Sequence, residues 1–387
     1  MPNIKRGMMG AAGVATSNPG PLFAWGDNST SGAVGDSTEI NRSSPVQVGD
    51  LETWVAVAGY QTRFAVKDDG TLWAWGANRV GEQGHGDVVE RSSPVQVGSL
   101  TNWGSGYHQI DGDYYNFMFV KDDGTLWGTG SNANGQLGQD NTISYSSPVQ
   151  VGSLTTWSKV CAHGKFTHAI KTDGTLWGWG SSNSGGIGNG EALNYSSPIQ
   201  IGSSTTWTDI SGGTAFTMGI SDGKMYGWGH NGNGKMGFDG STAGINAIAV
   251  GGKMSSPVQM GTLTDWSKIQ CSSDASHGVT DSGKLFAWGG GSPRWGKLGL
   301  NDDIDHSSPT QVGSLTDWVD ISSGGALAGS VKANGTLWMW GAGAGGSGGA
   351  VGDGNAIHRS SPVQIGSETD WSDVHAEWYL GSGIRGG

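Results

Sequence analysis

The stretch TTWSKVCAHGKFTHAIKTDGTLWGWG, residues 155–180, decides the architecture of this chain. It opens with a β-branched and aromatic run at 155–162, turns at His163-Gly164 and resumes at 166–171. Asp173-Gly174 then marks a tight hairpin, because glycine accepts the positive φ that such turns require. A third strand is expected over 175–180, and SPIQIG at 197–202 supplies a fourth after a glycine- and asparagine-rich loop. No segment sustains a helical period. Four short strands in about 50 residues, joined by polar turns, make one blade of a propeller.

The unit recurs. Ser-Ser-Pro appears seven times, with prolines at 45, 94, 148, 198, 257, 309 and 362. An aromatic motif keeps the same rhythm in the form FAWG, WAWG, WGTG, WGWG, YGWG, FAWG and WMWG, starting at Phe23, Trp73, Trp127, Trp177, Tyr226, Phe286 and Trp338. A tryptophan follows each Ser-Ser-Pro, from Trp54 to Trp371. Three markers with seven copies each predict an all-β protein, a seven-bladed β-propeller of four-stranded blades over residues 19–387, preceded by an arm at 1–18.

The ends predict how the ring closes. The pattern begins with a third strand, GPLFAWG at 20–26, and ends with a first and second, DWSDVHAEWYLGSGIR at 370–385. Two N-terminal strands should therefore complete a blade with two C-terminal ones, which removes the free edges that invite aggregation. The proline of each Ser-Ser-Pro suits an outer edge strand, where no ladder donor is needed. Trp177 and Trp179, two apart on a strand, share a face and should fill the wedge between blades. Of 19 tryptophans, only Trp295 and Trp378 fall outside the repeat, so aromatic residues serve packing before they serve binding.

Composition narrows the function. With 33 acidic and 21 basic residues the net charge is −12, which repels phosphate backbones, so nucleic acid is not an expected partner. No apolar run reaches the roughly 18 residues of a membrane span. Cys161 and Cys271 sit where other repeats carry Ala58, Gly59, Ser211 or Ser323, and read as small buried strand residues; a disulfide or a metal site is the alternative.

The segments DGTLWAWGANRVGEQGHG at 69–86 and DGTLWGTGSNANGQLGQ at 123–139 resemble the repeat of the regulator of chromosome condensation family, a seven-bladed propeller. The resemblance covers the chain from about residue 19 onward, by its DG-x-aromatic-x-WG-x-N-x-x-GQLG core. That family spans nucleotide exchange factors, ubiquitin ligase accessory domains and many uncharacterised proteins, so the resemblance implies the fold rather than one function. Two departures stand out. The G-x-x-H-T histidine is replaced by Thr62, Asn116, Phe166, Phe216, Ala275, Leu327 and Leu380, and neither long insertion, 104–116 or 238–254, matches the wedge with which the founding member engages a small GTPase.

No catalytic or cofactor motif emerges. The nine histidines form no H-E-x-x-H pair, although the turn at Gly164 could bring His163 and His168 together. The acidic loop NDDIDH at 301–306 could attract a cation but lacks the pattern of a calcium loop. The chain reads as a non-enzyme, with no cofactor. Its first 18 residues lack the continuous apolar core of an export signal. The segment RGMMGAAG within them is similar to leaders of structural proteins of tailed bacteriophages. The leading expectation is a display propeller docked onto a phage particle, on capsid or tail proteins, through Lys5, Arg6, Met8 and Met9, and so located in the virion. The alternatives are an exchange-factor-like regulator of a small GTPase and a propeller that binds a host-surface glycan through Trp295, Trp378 and Tyr114-Tyr115.

Overall fold

The computed structural model describes residues 19–29, 31–106, 108–113, 115–182, 184–238, 252–290, 295–343 and 348–386. The arm at 1–18, with its partner-binding candidates Lys5, Arg6, Met8 and Met9, lies outside them, as do Tyr114 and most of the 238–254 insertion. Seven four-stranded antiparallel sheets account for the strands. In the third blade the order from inside to outside is Trp157–His163, Phe166–Lys171, Leu176–Gly180 and Tyr195–Gln200. The outermost strand starts two residues earlier than the sequence suggests, because Tyr195 pairs with Gly180 beyond a bulge.

The seventh blade closes the ring as expected. Leu22–Gly26 pairs with Leu380–Arg385 from Leu22↔Ile384 to Gly26↔Leu380, and the sheet runs Arg42–Gln47, Leu22–Gly26, Leu380–Arg385, Trp371–Glu377. The innermost strands of successive blades contact one another in cyclic order, the seventh returning to the first. Among the described residues the only helix is a single 3-10 turn, Gly232–Gly234, and no helix is long and apolar enough to cross a membrane.

The repeated motif builds each blade in two steps. In the Asp-Gly-Thr turn, Asp173 Oδ1 accepts from Thr175 Oγ1 at 2.7 Å, and Thr175 Oγ1 accepts from Trp177 Nε1 at 2.9 Å. Gly174 is required there, at φ +75°, because a Cβ would stand 2.1 Å from the carbonyl of Thr205. Lys171 lies over the Trp177 ring at 3.6 Å, and the same lysine and tryptophan recur as Lys67 over Trp73, Lys121 over Trp127 and Lys332 over Trp338. The second aromatic reaches across the seam. Trp179 Nε1 donates to the Gln136 carbonyl in the preceding blade, 2.8 Å away. Trp25, Trp75, Trp228 and Trp340 make the equivalent bond at 2.9–3.0 Å. Trp157 meets both aromatics of its blade in edge-on contacts at 6.0 and 6.1 Å, pairs of a kind that contribute about 0.5–1.5 kcal/mol each beyond area burial. The repeat tryptophans are thus packing residues.

Candidate functional site: the channel mouth and the long-loop face

In a closed ring, equivalent positions of the innermost strands become neighbours around the central channel. Those strands have no further strand inside them, so their inward N–H groups need side-chain acceptors. The preceding blade supplies them. Asp111 Oδ2 accepts from Ala162 N at 2.8 Å, Asp209 Oδ2 from Ile269 N at 3.1 Å, Ser211 Oγ from Cys271 N at 2.9 Å and Ser322 Oγ from Ala376 N at 2.9 Å.

One layer of the channel is ionic. Lys159 Nζ lies 3.0 Å from Asp209 Oδ1 and His108 Nδ1 lies 3.2 Å from it, while Lys268 pairs with Asp320. Burial alone would raise the Asp209 carboxyl, but Lys159 and His108 hold it well below the usual carboxylate range. Asp373 is the reverse case: burial and the neighbouring Asp320 push it up to about 7.

The next layer, toward the ends of the innermost strands, is the mouth. Here Asp111, Cys161 and His163 each bring one ligand-capable atom within 4.8 Å of the others. Burial pushes the Cys161 thiol well up, and the Asp111 charge adds to the shift. Glu377 sits close by, its carboxyl raised far above the ordinary range by burial and by Asp113 and Asp111. Beside it His375 is pushed down to about 3 by burial and by the Arg63 charge. Arg63 is fully buried, donating to the Gly59 carbonyl and to Ser382 Oγ.

The strand directions put the long loops between third and fourth strands on the same face as this mouth, together with the turns between first and second strands. Two residues before the fourth strand, each described long loop presents an aliphatic side chain: Ile40, Val89, Ile143, Leu193, Ile304 and Ile357, all between 49% and 63% exposed. The corresponding residue of the fourth blade lies outside the described residues. Both stray tryptophans are on this face too. Trp378 meets Tyr379 at 6.1 Å, Tyr379 meets Trp295 at 5.8 Å, and Trp295 stacks on His358 at 5.4 Å and 5°.

Several sequence expectations change at this level. His163 and His168 do not come together. His163 faces the channel mouth, whereas His168 is fully buried beside Cys161 in the pairing register, its Nε2 3.0 Å from the Ile187 carbonyl. Both cysteines are buried and unbonded to each other, as small strand residues should be. The carboxylates of NDDIDH are drawn into the loop itself: Asp303 Oδ1 accepts from Gly296 N at 2.7 Å and Asp302 lies 3.2 Å from His306 Nε2. Within the 104–116 insertion, His108 and Asp111 reach the channel. The convergence of Asp111 with Cys161 and His163 was missed by spacing rules. The usable signal was that Asp111 and Cys161 occupy equivalent positions in adjacent blades, opposite Met118 and His168.

Comparison with known proteins agrees with the propeller fold. The model of the regulator of chromosome condensation (RCC1) repeat matches residues 123–170, 173–220 and 282–329. The ultraviolet-B receptor UVR8 of Arabidopsis thaliana is 28% identical over 80% of this chain and 57% of its own length. The mitochondrial RCC1 domain-containing protein RUG3 of the same plant is 31% identical over 33% of this chain and 27% of its own. The chain thus spans little more than half the length of these relatives at most. Among solved structures, yeast RCC1 (Prp20) bound to Kap60 superposes with a TM-score of 0.80 at 16% identity, covering 99% of this chain and 95% of that one. The chain is a seven-bladed propeller, three stretches of which match the RCC1 repeat.

Proposed function

We propose that this propeller is a non-enzymatic protein-binding module whose long-loop face receives the partner. The observation that carries the reading is the aliphatic residue exposed at one equivalent position in six blades, from Ile40 to Ile357. Such a ring is too dispersed for a single small ligand, whereas a protein interface of about 800 Å² per side spans several blades. The opposite face repeats Leu51, Leu100, Leu154, Leu263 and Leu315, but Ser204 and Glu368 interrupt that series. Among the relatives, yeast Prp20 has been studied for binding to Gsp1p and histones, which makes a protein partner the natural first search.

The triple variant Ile143→Asp, Leu193→Asp, Ile304→Asp tests the reading. Exposed positions tolerate it, so the melting temperature should stay within a few degrees while cross-linked partner is lost at least ten-fold, about 1.4 kcal/mol. The matched triple Leu100→Asp, Leu154→Asp, Leu315→Asp on the other face should retain the partner. Equal retention by both overturns the proposal. A small GTPase recovered as that partner, with nucleotide release accelerated, would select the exchange-factor form of the reading.

Attachment through the arm belongs to the same proposal: the leader favours anchoring to a larger assembly such as a phage particle, leaving the loop face outward. Deleting residues 1–18 should leave melting unchanged and abolish incorporation into that assembly, and retained incorporation removes the arm from the account.

A further inference from the structure

We propose that Asp111, Cys161 and His163 form a site for a thiophilic divalent transition ion, with Zn²⁺ as the reference ion, across the seam between the second and third blades at the channel mouth. The three candidate ligand atoms, a carboxylate oxygen, a thiol sulfur and an imidazole nitrogen, lie within 4.8 Å of one another. In a tetrahedral zinc centre with bonds of about 2.0–2.3 Å the donors stand roughly 3.3–3.8 Å apart, so a modest rotation of the half-buried Asp111 and His163 closes the cluster.

The surroundings are arranged as metal ligands require. Cys161 and His163 are two apart on one strand and share its face. The N–H of the residue between them, Ala162, holds Asp111 Oδ2 at 2.8 Å, which fixes the carboxylate beside both and leaves Oδ1 to coordinate. Gly212 of the next blade packs directly against the Cys161 sulfur. Gly212 also keeps the space open: a Cβ there would press on Cys161 Sγ and on His163 Cβ and Cδ2, each at 3.3 Å.

The donor set selects the class of ion. Sulfur with imidazole favours zinc and its neighbours, whereas magnesium and calcium take oxygen donors. Three protein ligands leave a fourth position for water, the coordination of an accessible site rather than a closed structural one. Binding exchanges the Cys161 thiol proton for the ion and releases that proton to solvent. Mechanically the ion would tie the second blade, whose innermost strand Ile110–Gly112 has three residues, to the seven-residue Trp157–His163 of the third.

The test is a Co²⁺ titration of the full chain after chelator treatment, followed by visible absorption. The expected result is one equivalent bound with a thiolate-to-cobalt charge-transfer band, bleached by Zn²⁺ and untouched by equal Mg²⁺ or Ca²⁺. Cys161→Ser should abolish the band, His163→Ala should weaken binding at least ten-fold, and Cys271→Ser should behave as wild type. No band in the wild-type protein, or a band that survives Cys161→Ser, overturns the site. Should Cys161→Ser fail to fold, wild-type affinity in the His163→Ala variant overturns it equally.

Discussion

Trp25→Ala is expected to lower the unfolding free energy by about 3–5 kcal/mol, the range for removing a large aromatic from a packed core. Trp25 belongs to the N-terminal contribution to the seventh blade, yet its indole Nε1 bonds the Ala350 carbonyl of the sixth at 2.9 Å. It is fully buried and meets Trp371, from the C-terminal strands, at 6.3 Å. A Cβ on Gly352 or Gly381 would fall 2.5 or 2.4 Å from the ring, so the pocket has no slack to collapse into the cavity left by alanine. The substitution therefore forfeits transfer energy, opens a void and strands a buried carbonyl, all at the seam that completes the ring. Urea denaturation followed by fluorescence measures it. Trp295→Ala, on the long-loop face, is the control and should cost under about 1 kcal/mol in stability. Near-equal costs would show that Trp25 does not secure closure.

The ring and its closure were legible because the information is local and repeated seven times. An Asp-Gly turn, a third-strand aromatic pair and an outer proline each constrain a few residues, and the half-blades at the two ends can be matched without any contact map. The strand boundaries followed the same logic, and failed by two residues at Tyr195 because a bulge is a property of the paired strands and not of either alone. The second blade shows how far substitution can go: Thr129 stands where six blades have tryptophan, and its hydroxyl lies 3.4 Å from the Gly81 carbonyl across the seam.

The candidate site was much less legible. Asp111 lies a full repeat from Cys161 and His163, and their meeting depends on the curvature of the ring. Asp111 reads as part of a loop insertion until the fold brings it to the channel. Arg63 occupies the position at which the third and fourth blades carry Thr167 and Thr217, so a buried guanidinium replaces a hydroxyl with no local warning. Trp295 and Trp378 were recognisable as strays, but Tyr379 between them was needed to make one aromatic row. Periodicity reveals what is repeated, while these residues depart from the repeat at positions where blades face one another.

His277→Met should flatten part of the acid sensitivity, and the sign follows from where the proton is held. His277 is fully buried, with Nε2 3.2 Å from the Lys297 carbonyl and its ring edge-on to Trp340 at 5.8 Å. Burial pushes it down to about 3. An unfolded histidine titrates near pH 6.5, so between about pH 6.5 and 3 the unfolded chain holds a proton that the native ring refuses. The stability contributed by the neutral ring is complete above pH 6.5 and drains away as pH falls, at about 1.4 kcal/mol per unit. From pH 7 to pH 5 the wild-type protein should lose about 2 kcal/mol relative to His277→Met. Methionine is the appropriate replacement because Met118 and Met218 already fill this position in the second and fourth blades. The comparison must be with the variant rather than across pH alone. Asp373, raised to about 7, protonates in the native state first and pulls stability the opposite way over the same interval. Chemical denaturation of both proteins at pH 7, 6 and 5 reads the difference directly, and a difference that does not change with pH would mean that the native ring accepts the proton at His277 as readily as the unfolded chain does.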